Sequence, residues 1–205
     1  MAVAAEHTRE AVAARLAAFQ RDEQTHAAGL KRAAVVIAVT EAGDGPAFLI
    51  TRRARTLRSH GGQWSFPGGR LDEGEDAVAG GLRELHEELG LRCDAADVLG
   101  VLDDYPTRSG YLVTPVVVWI GEEPALVPNP AEVASVHRFT LASIAAPDAF
   151  EFFTIPESDR PVVRFNHSGG HMHAPTAAMI YQFREVLAGR QTRVAHLEQP
   201  LFAWR

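Results

Sequence analysis

The sequence predicts a mixed α/β domain, because strand-like and helix-like segments alternate along a chain of ordinary globular composition. The 205 residues are 46% hydrophobic and 22% charged, enough apolar material for one sizeable core. Residues 33–40 form a continuous valine-rich run, as in a buried strand. Residues 75–89 carry an apolar stripe at helical spacing, and Gly90 supplies the stop. Strands flanked by helices in this way indicate a single α/β domain.

The remaining elements follow from local patterns, taken in chain order. Residues 8–28, with Thr8 as N-cap, predict an amphipathic helix whose stripe covers either the sheet or a dimer partner. Residues 47–53 are the hairpin partner of the first strand, and 61–69 form an irregular glycine-rich segment. Further strands are predicted over 98–102, 112–120, 133–139, 150–155, 161–166 and 171–173. A final helix, 175–188, begins with a proline and ends before a glycine.

The composition excludes several classes of protein. A formal net charge of -6 argues against general binding to nucleic acid or to an anionic membrane. No apolar run reaches the roughly 18–20 residues that span a bilayer, and the first residues lack a signal core and carry Glu6 and Glu10. A single cysteine, Cys93, excludes an intramolecular disulfide framework and a cysteine-rich zinc site. We expect a cytoplasmic protein without a nucleic-acid or membrane partner, and the N-terminal helix leaves a homodimer open.

Three carboxylates share one face of the helix predicted over 75–89: Glu84, Glu87 and Glu88. Like charges three and four residues apart repel, and the C-terminal end of a helix disfavours anions. A divalent cation on this face would replace repulsion with ligation, because carboxylate oxygens are the ligands that Mg²⁺ and Mn²⁺ prefer. From spacing alone, the alternative is a solvated acidic face on which Arg83 pairs with Glu87.

The spacing around these carboxylates fits a longer pattern of nine constrained positions over 23 residues. The pattern is G, five residues, E, seven residues, then R-E-apolar-x-E-E-x-G-apolar. The matching residues are Gly69, Glu75, Arg83, Glu84, Leu85, Glu87, Glu88, Gly90 and Leu91. The chain therefore resembles the Nudix hydrolases. The resemblance implies an α/β/α sandwich with a mixed sheet and a loop–helix–loop catalytic motif. It further implies one Nudix domain over 1–205, with 1–31 as an N-terminal helical extension, and hydrolysis of diphosphates that link a nucleoside to another group.

The resemblance also implies roles for individual residues. Four groups would bind Mg²⁺ or Mn²⁺: the carboxylates of Glu84, Glu87 and Glu88 and the backbone carbonyl of Gly68. The same glutamates would be catalytic, with Arg83 and Glu75 holding the helix and orienting the carboxylates. The carboxylate that takes a proton from water would be Glu132, recruited from outside the motif, or Glu84. For Glu132 a solvated loop acid is the alternative.

A second signature precedes the motif. Residues 49–69 read LITRRARTLRSHGGQWSFPGG and resemble the coenzyme A pyrophosphatase branch, in which L-x-T-x-R precedes L-R-x-H-x-G-x-x-x-F-P-G-G. That branch cleaves coenzyme A, which carries a ribose phosphate besides its diphosphate, into phosphopantetheine and adenosine bisphosphate. Residues 45–71 hold five arginines and no acid, whereas residues 72–94 have a net charge of -6. Substrate binding is accordingly assigned to Arg52, Arg53, Arg58 and His60, with solvated side chains as the alternative.

Two further groups of residues leave alternatives open. His167, His171 and His173 suggest a zinc site or contacts to substrate, although their spacing does not require them to converge. Tyr111 and Trp64 are candidates for stacking on adenine or for ordinary core packing. Other functions are also open, either hydrolysis of another nucleoside diphosphate such as ADP-ribose or nucleotide sensing without turnover. The complete set of motif glutamates argues against the sensor.

Overall fold

Four α-helices and eleven strands follow one another in the described residues of the computed structural model, 7–23, 29–55, 61–122 and 125–201. The helices are α1 (Arg9–Ala18), α2 (Ala77–Leu89), α3 (Leu141–Ala145) and α4 (Thr176–Leu187). The first strands are β1 (Lys31–Ala42), β2 (Gly45–Arg53), β3 (Trp64–Ser65), β4 (Gly68–Arg70), β5 (Val98–Val101) and β6 (Tyr105–Pro106). The others are β7 (Tyr111–Glu122), β8 (Val133–Thr140), β9 (Phe150–Ile155), β10 (Ser158–His167) and β11 (Gly170–His173).

The larger sheet is mixed and is buried on both faces. Among the described residues its order is β3-β2-β1-β7-β5, with β4 paired to β1, β6 to β7 and β8 to β2. The central pair β1–β7 is parallel, whereas the other pairings are antiparallel. Alternate residues of β1 point to opposite faces, so Val36 and Ala38 pack with α2 and Ile37 and Val39 pack into the other core. This explains why the run over 33–40 is apolar throughout.

The second core lies between the large sheet and the remaining elements. It contains residues of α1, α3 and α4 and of a smaller antiparallel sheet, β11-β10-β9. With α2 on the opposite face, the layers are helix, sheet and helix, which confirms the expected α/β/α sandwich. None of the helices in the described ranges is both long and apolar enough to cross a bilayer.

The N-terminal helix is shorter than predicted. Thr8 caps α1 as expected, its hydroxyl accepting from the Ala11 N–H, but the helix ends at Ala18 instead of at residue 28. The chain then extends and is tied to distant segments, because the Gln20 N–H donates to the side chain of Gln191 and the Asp22 N–H donates to that of Asp103. These tertiary bonds replace helical ones; residues 24–28 lie outside the described ranges. The buried stripe of α1 packs on its own sheet, which settles the choice between sheet and dimer partner for that face.

The other elements of the structure differ from the predicted ones mainly at their ends. The six later strands are all present, and the helix predicted over 75–89 begins after the N-cap Asp76 and ends at Gly90 with φ 73°. The segment 61–69, predicted as irregular, contributes β3 and reaches β4. Backbone pairing with Thr51 and Arg52 of β2 and with β1 makes these residues strands despite their glycines.

Candidate active site

Helix α2 turns its apolar residues to the sheet and holds two carboxylates in partly buried positions. Leu85 and Leu89 are fully buried, which fixes the rotation of the helix. The Glu84 and Glu88 side chains are 14% and 2% exposed, whereas the Glu87 side chain is 52% exposed. Because Glu84 and Glu88 are four residues apart, they lie on the same side of the helix, one turn from each other. The structure thus brings together the two residues expected to be the principal metal ligands.

Arg83 connects the motif residues. Its Nε and Nη2 donate to the two oxygens of Glu75, both at 3.0 Å, and Nη2 also donates to the Arg70 carbonyl at 3.0 Å. Its Nη1 donates to Glu84 at 3.0 Å and to Glu87 at 3.2 Å. The hydrogen bonds with Glu75 and Glu84 raise the pKa of Arg83, and the bond from Arg83 lowers the pKa of Glu75. The pair predicted to hold the helix and orient its carboxylates is therefore in contact with Glu84.

Two glycines bring β4 close to these carboxylates. A Cβ on Gly69 would lie 2.4 Å from Oε1 of Glu84, so a larger residue would collide with the carboxylate. Gly68 has φ 152°, and a Cβ there would lie 2.3 Å from the Ala34 carbonyl oxygen. Both positions therefore need glycine, one for the side chain of Glu84 and one for the backbone of β1. The Gly68 backbone N–H also bonds the Glu88 carboxylate, so Gly68 lies beside the predicted ligands.

Of the two carboxylates, Glu88 is the more buried and the less compensated, because Glu84 is paired with Arg83. Burial raises the pKa of Glu88 to about 8, and repulsion from Glu84 and Glu132 adds to this, while Arg53 opposes it. Burial also raises the pKa of Glu84, with hydrogen bonding from Arg83 acting in the other direction. The Arg53 guanidinium approaches Glu88, with Nη1 3.8 Å from Oε1. Additional positive charge beside these two groups would favour their ionised forms, which burial and mutual repulsion disfavour.

Glu132 lies close to this pair, as its expected role requires. It precedes β8, and its carbonyl accepts from the Ala54 N–H at 2.8 Å. Its carboxylate accepts from Nδ2 of Asn129 at 3.2 Å, and its charge contributes to the raised pKa values of both Glu84 and Glu88. Glu132 is therefore part of the same acidic group, although its assignment as the base stays a prediction.

The donor set suits a hard divalent cation. Carboxylate oxygens of Glu84 and Glu88 share one side of α2, are partly or fully buried, and have pKa values raised by that burial. Within the described ranges, no three side chains of His, Cys, Asp or Glu converge closely enough to hold a metal ion. One nitrogen of Arg83 binds both Glu84 and Glu87. Cation binding would compete with this nitrogen for the carboxylates.

The predicted substrate-binding residues lie in different places. Arg53 lines a cleft beside Gly68 and approaches Glu88. Arg52 points to the other side of β2, where its Nε donates to the Gly62 carbonyl at 3.0 Å and its guanidinium lies 5.3 Å from the centre of the Trp64 ring. Arg58 and His60 lie outside the described residues. The alternation along β2 thus separates two neighbouring arginines that are both among the predicted substrate-binding residues.

The cleft has a volume of about 540 Å³ and runs from Gly68 and Gly69 across the sheet, beneath β11. Arg70 lines it and lies over the Tyr111 ring at 5.2 Å. His171 and His173 also line it, whereas His167 packs against Trp64 at 5.2 Å. The histidines do not form a metal-binding group among the described residues, which removes the support for zinc.

Some residues lining the cleft carried no signal in the sequence. They are Gln63, Thr107, Ser109, Met172, Thr176 and Gln199. They come from the residue before β3, from the β6–β7 turn, from β11 and α4, and from the C-terminal segment, mostly far apart in the chain. No local spacing relates them, so only the strand pairings bring them together.

Comparison with known proteins identifies the family. Residues 30–159 match the family described as NUDIX domain. The chain belongs to this family. The Nudix resemblance of the motif is thereby confirmed, while the coenzyme A branch stays a prediction.

Curated relatives agree with this assignment. A protein of Photorhabdus laumondii described as "Uncharacterized Nudix hydrolase NudL" is 38% identical over 111 residues, which cover 54% of this chain and 59% of the relative. A NudL protein of Cronobacter sakazakii is 40% identical over 113 residues, covering 55% of this chain and 58% of the relative. The match thus spans less than two thirds of these relatives. Among solved structures, a MutT/nudix family protein from Enterococcus faecalis superposes with a TM-score of 0.55 at 18% identity. It covers 82% of this chain and 66% of that protein, and it supports the Nudix fold.

Proposed function

We propose that this Nudix chain is a pyrophosphohydrolase dependent on Mg²⁺ or Mn²⁺, and that it cleaves coenzyme A or its derivatives to phosphopantetheine and adenosine bisphosphate. The observation that carries hydrolysis is the group of carboxylates at the end of α2, with Glu88 buried and Glu84 partly buried, beside an arginine-lined cleft. A purely structural group would be expected to have about one cation for each carboxylate, whereas Arg83 is shared by Glu75, Glu84 and Glu87. A shortage of positive charge suits a site that binds a divalent cation.

The metal ligands would be the carboxylates of Glu84, Glu87 and Glu88 and the carbonyl of Gly68. When bound, a divalent cation supplies the positive charge that lets a diphosphate approach this acidic face, and it makes water a better nucleophile. The chain's part is to hold its donors at the end of α2, which the buried leucines and Arg83 accomplish. Displacement of Arg83 from Glu87 leaves it bonded to Glu75, so the helix stays anchored.

The reaction itself is a hydrolysis. A water molecule attacks one phosphorus while Glu132 or Glu84 takes its proton, the bond from that phosphorus to the bridging oxygen breaks, and two phosphate monoesters result. Arg53, which lines the cleft, would bind a phosphate oxygen and stabilise the charge that develops there. Glu132 suits the base role because it lies near the ligands and is held by Asn129 rather than by an arginine.

The choice of substrate rests on the second signature and on the arginines. The segment 49–69 carries the pattern of the coenzyme A branch, and Arg53 and Arg70 both line the cleft. ADP-ribose is the alternative substrate, since it shares the diphosphate and the adenosine. A nucleotide sensor is the alternative from another class, and the burial of Glu84 and Glu88 at a cost to stability argues against it.

A substrate screen with metal tests the proposal. Coenzyme A, dephospho-coenzyme A and ADP-ribose are incubated with the protein and Mg²⁺ or Mn²⁺, and the products are identified by mass spectrometry. We expect the highest kcat/KM for coenzyme A. Equal or higher efficiency on ADP-ribose would overturn the substrate while leaving diphosphate hydrolysis intact. Metal-dependent binding without turnover of any diphosphate would instead establish the sensor.

A further inference from the structure

Arg70 lies between the acidic group of α2 and the cleft. Its backbone is fixed from two sides, since it pairs with Ala33 of β1 and its carbonyl accepts from Nη2 of Arg83 at 3.0 Å. The preceding residue, Gly69, faces the Glu84 carboxylate. Because successive residues of a strand face opposite sides of the sheet, the Arg70 side chain points away from Glu84 and lines the cleft.

The Arg70 guanidinium is placed over an aromatic ring instead of beside a carboxylate. It lies over Tyr111 of β7, 5.2 Å from the ring centre, and within the described residues it has no ion pair with an aspartate or glutamate. An aromatic ring attracts the face of a guanidinium without neutralising its charge, so the N–H groups at the edge stay available to an anion. The Tyr111 ring also packs against the second core, so adenine could stack on it only by displacing Arg70.

The two permanent cations among the described residues that line the cleft have different surroundings. Nη1 of Arg53 lies 3.8 Å from Oε1 of Glu88, so part of its charge is directed at the acidic group. Arg70 is exposed to solvent, and the described lining of the cleft contains no acid that could take its charge. Burial lowers the pKa of His173, another lining residue, to about 4, so this side chain is neutral at neutral pH. The charge of Arg70 is therefore available to a ligand.

The spacing between Gly68 and Arg70 suits a second phosphate of the substrate. The two residues are two positions apart on β4, so they face the same side and lie about 7 Å from each other along the strand. In coenzyme A, the ribose C3′, C4′ and C5′ atoms and their ester oxygens join the 3′-phosphate to the diphosphate, a separation of similar length. A diphosphate beside Gly68 and Arg53 thus leaves the 3′-phosphate within reach of the flexible Arg70 side chain.

We propose that Arg70 binds the ribose 3′-phosphate of the substrate and thereby makes the enzyme prefer coenzyme A to dephospho-coenzyme A. This inference rests on the proposed function, because it takes the diphosphate to lie at Gly68 and Arg53. A phosphate monoester accepts two parallel hydrogen bonds from one guanidinium, and Tyr111 holds that guanidinium in the cleft. Dephospho-coenzyme A lacks the monoester and leaves Arg70 without this partner.

Two nucleotides that differ by this phosphate alone test the inference. Isothermal titration calorimetry with Mg²⁺ measures the affinities of adenosine 3′,5′-bisphosphate and adenosine 5′-monophosphate for the wild type, Arg70→Ala and Arg32→Ala. Arg32 is the matched control, because it is an exposed arginine of the neighbouring strand β1 that does not line the cleft. We expect the wild type to bind the bisphosphate about tenfold or more tightly than the monophosphate, and Arg70→Ala to reduce this preference to within about twofold. Arg32→Ala should keep the preference.

Hydrolysis gives a second readout. The ratio of kcat/KM for coenzyme A to that for dephospho-coenzyme A should fall about tenfold in Arg70→Ala and stay unchanged in Arg32→Ala. Three binding results would overturn the inference: no preference in the wild type, an equal loss of both nucleotides in Arg70→Ala, or a preserved preference in that variant. Thermal unfolding shows whether Arg70→Ala is folded, and Arg70→Gln, which keeps a polar side chain without the charge, repeats the test if it is not.

Failure of this inference can be told from failure of the proposed function. Hydrolysis of coenzyme A by Arg70→Ala with an unchanged preference over dephospho-coenzyme A refutes the role of Arg70 alone. Failure of the wild type to hydrolyse any diphosphate refutes the proposed function, while the calorimetry still decides whether Arg70 recognises the 3′-phosphate.

Discussion

Gly69 provides the sharpest test of how the carboxylates are positioned. A Cβ there would lie 2.4 Å from Oε1 and 2.6 Å from Cδ of Glu84, whereas ordinary contacts begin at 3.4 Å. The backbone at Gly69 is not left-handed, so Gly69→Ala introduces no backbone strain and changes the available space alone. The carboxylate must then retreat by about 1 Å, the difference between the two distances, and its 3.0 Å bond to Arg83 must lengthen or break.

A displacement of this size should affect catalysis far more than folding. Misplacing a catalytic group by about 1 Å can reduce the rate about 100-fold, and we expect that loss in kcat for Gly69→Ala. The added methyl meets the movable end of a side chain, so we expect the melting temperature to stay within about 4 °C of wild type. The rise in melting temperature on addition of Mg²⁺ should shrink, because a displaced ligand binds the ion less well.

The assay is steady-state hydrolysis of the best diphosphate substrate, beside thermal unfolding with and without Mg²⁺. Gly43→Ala is the matched control, since a Cβ there meets nothing within 4 Å and its backbone is likewise not left-handed. Wild-type kcat in Gly69→Ala would refute the reasoning, because it would mean that the position of the Glu84 carboxylate does not govern the reaction. A large fall in the metal-free melting temperature would show instead that the glycine is needed for folding.

Three further predictions follow from the same contacts. Glu84→Gln and Glu88→Gln should each lower kcat by about 100-fold or more, while the metal-free melting temperature stays equal or rises slightly. The rise in melting temperature on addition of Mn²⁺ should largely disappear. A clearly lower metal-free melting temperature would show instead that the glutamates stabilise the fold. Arg53→Ala should lower kcat/KM by about 10- to 100-fold and leave the fold intact, because a substrate phosphate loses a charged hydrogen bond. The loss should be larger than that caused by Arg52→Ala, and equal losses would contradict the different positions of the two arginines on β2. Burial lowers the pKa of His173 from 6.5 to about 4, so its contribution to stability is present above pH 6.5 and is lost as the pH falls towards 4. The variant His173→Gln should therefore flatten the acid side of the profile of stability against pH, measured by urea unfolding. An unchanged profile would count against this reasoning.

Local sequence patterns predicted the parts of the molecule that depend on periodicity. The strand-like and helix-like patterns predicted a mixed α/β domain, and the apolar stripe of α2 placed Glu84 and Glu88 on one face of that helix. The sandwich was implied by the resemblance to the Nudix hydrolases. The spacing of apolar residues does not reveal hydrogen bonds to distant segments. The helix predicted over 8–28 was too long for this reason. That spacing also cannot join the β6–β7 turn to Gln199, because their proximity is created by pairings between distant strands. The opposite directions of Arg52 and Arg53 were implied by strand alternation, but their environments were not.

Two equally buried carboxylates show what marks the site physically. Asp103 is 3% exposed and Glu88 is 2% exposed. Nη1 of Arg193 donates to both oxygens of Asp103 at 3.0 Å, Nε2 of Gln182 donates to Oδ2 at 2.7 Å, and the Asp22 N–H donates to Oδ1. Glu88 has Arg53 at 3.8 Å, beyond hydrogen-bonding distance, and a backbone N–H. Burying a carboxylate costs free energy, and hydrogen-bond donors that match its oxygens offset that cost. The first carboxylate ties the N-terminal segment to the C-terminal one. For the second, we propose that a bound divalent cation supplies the charge that Arg53 at 3.8 Å does not fully provide.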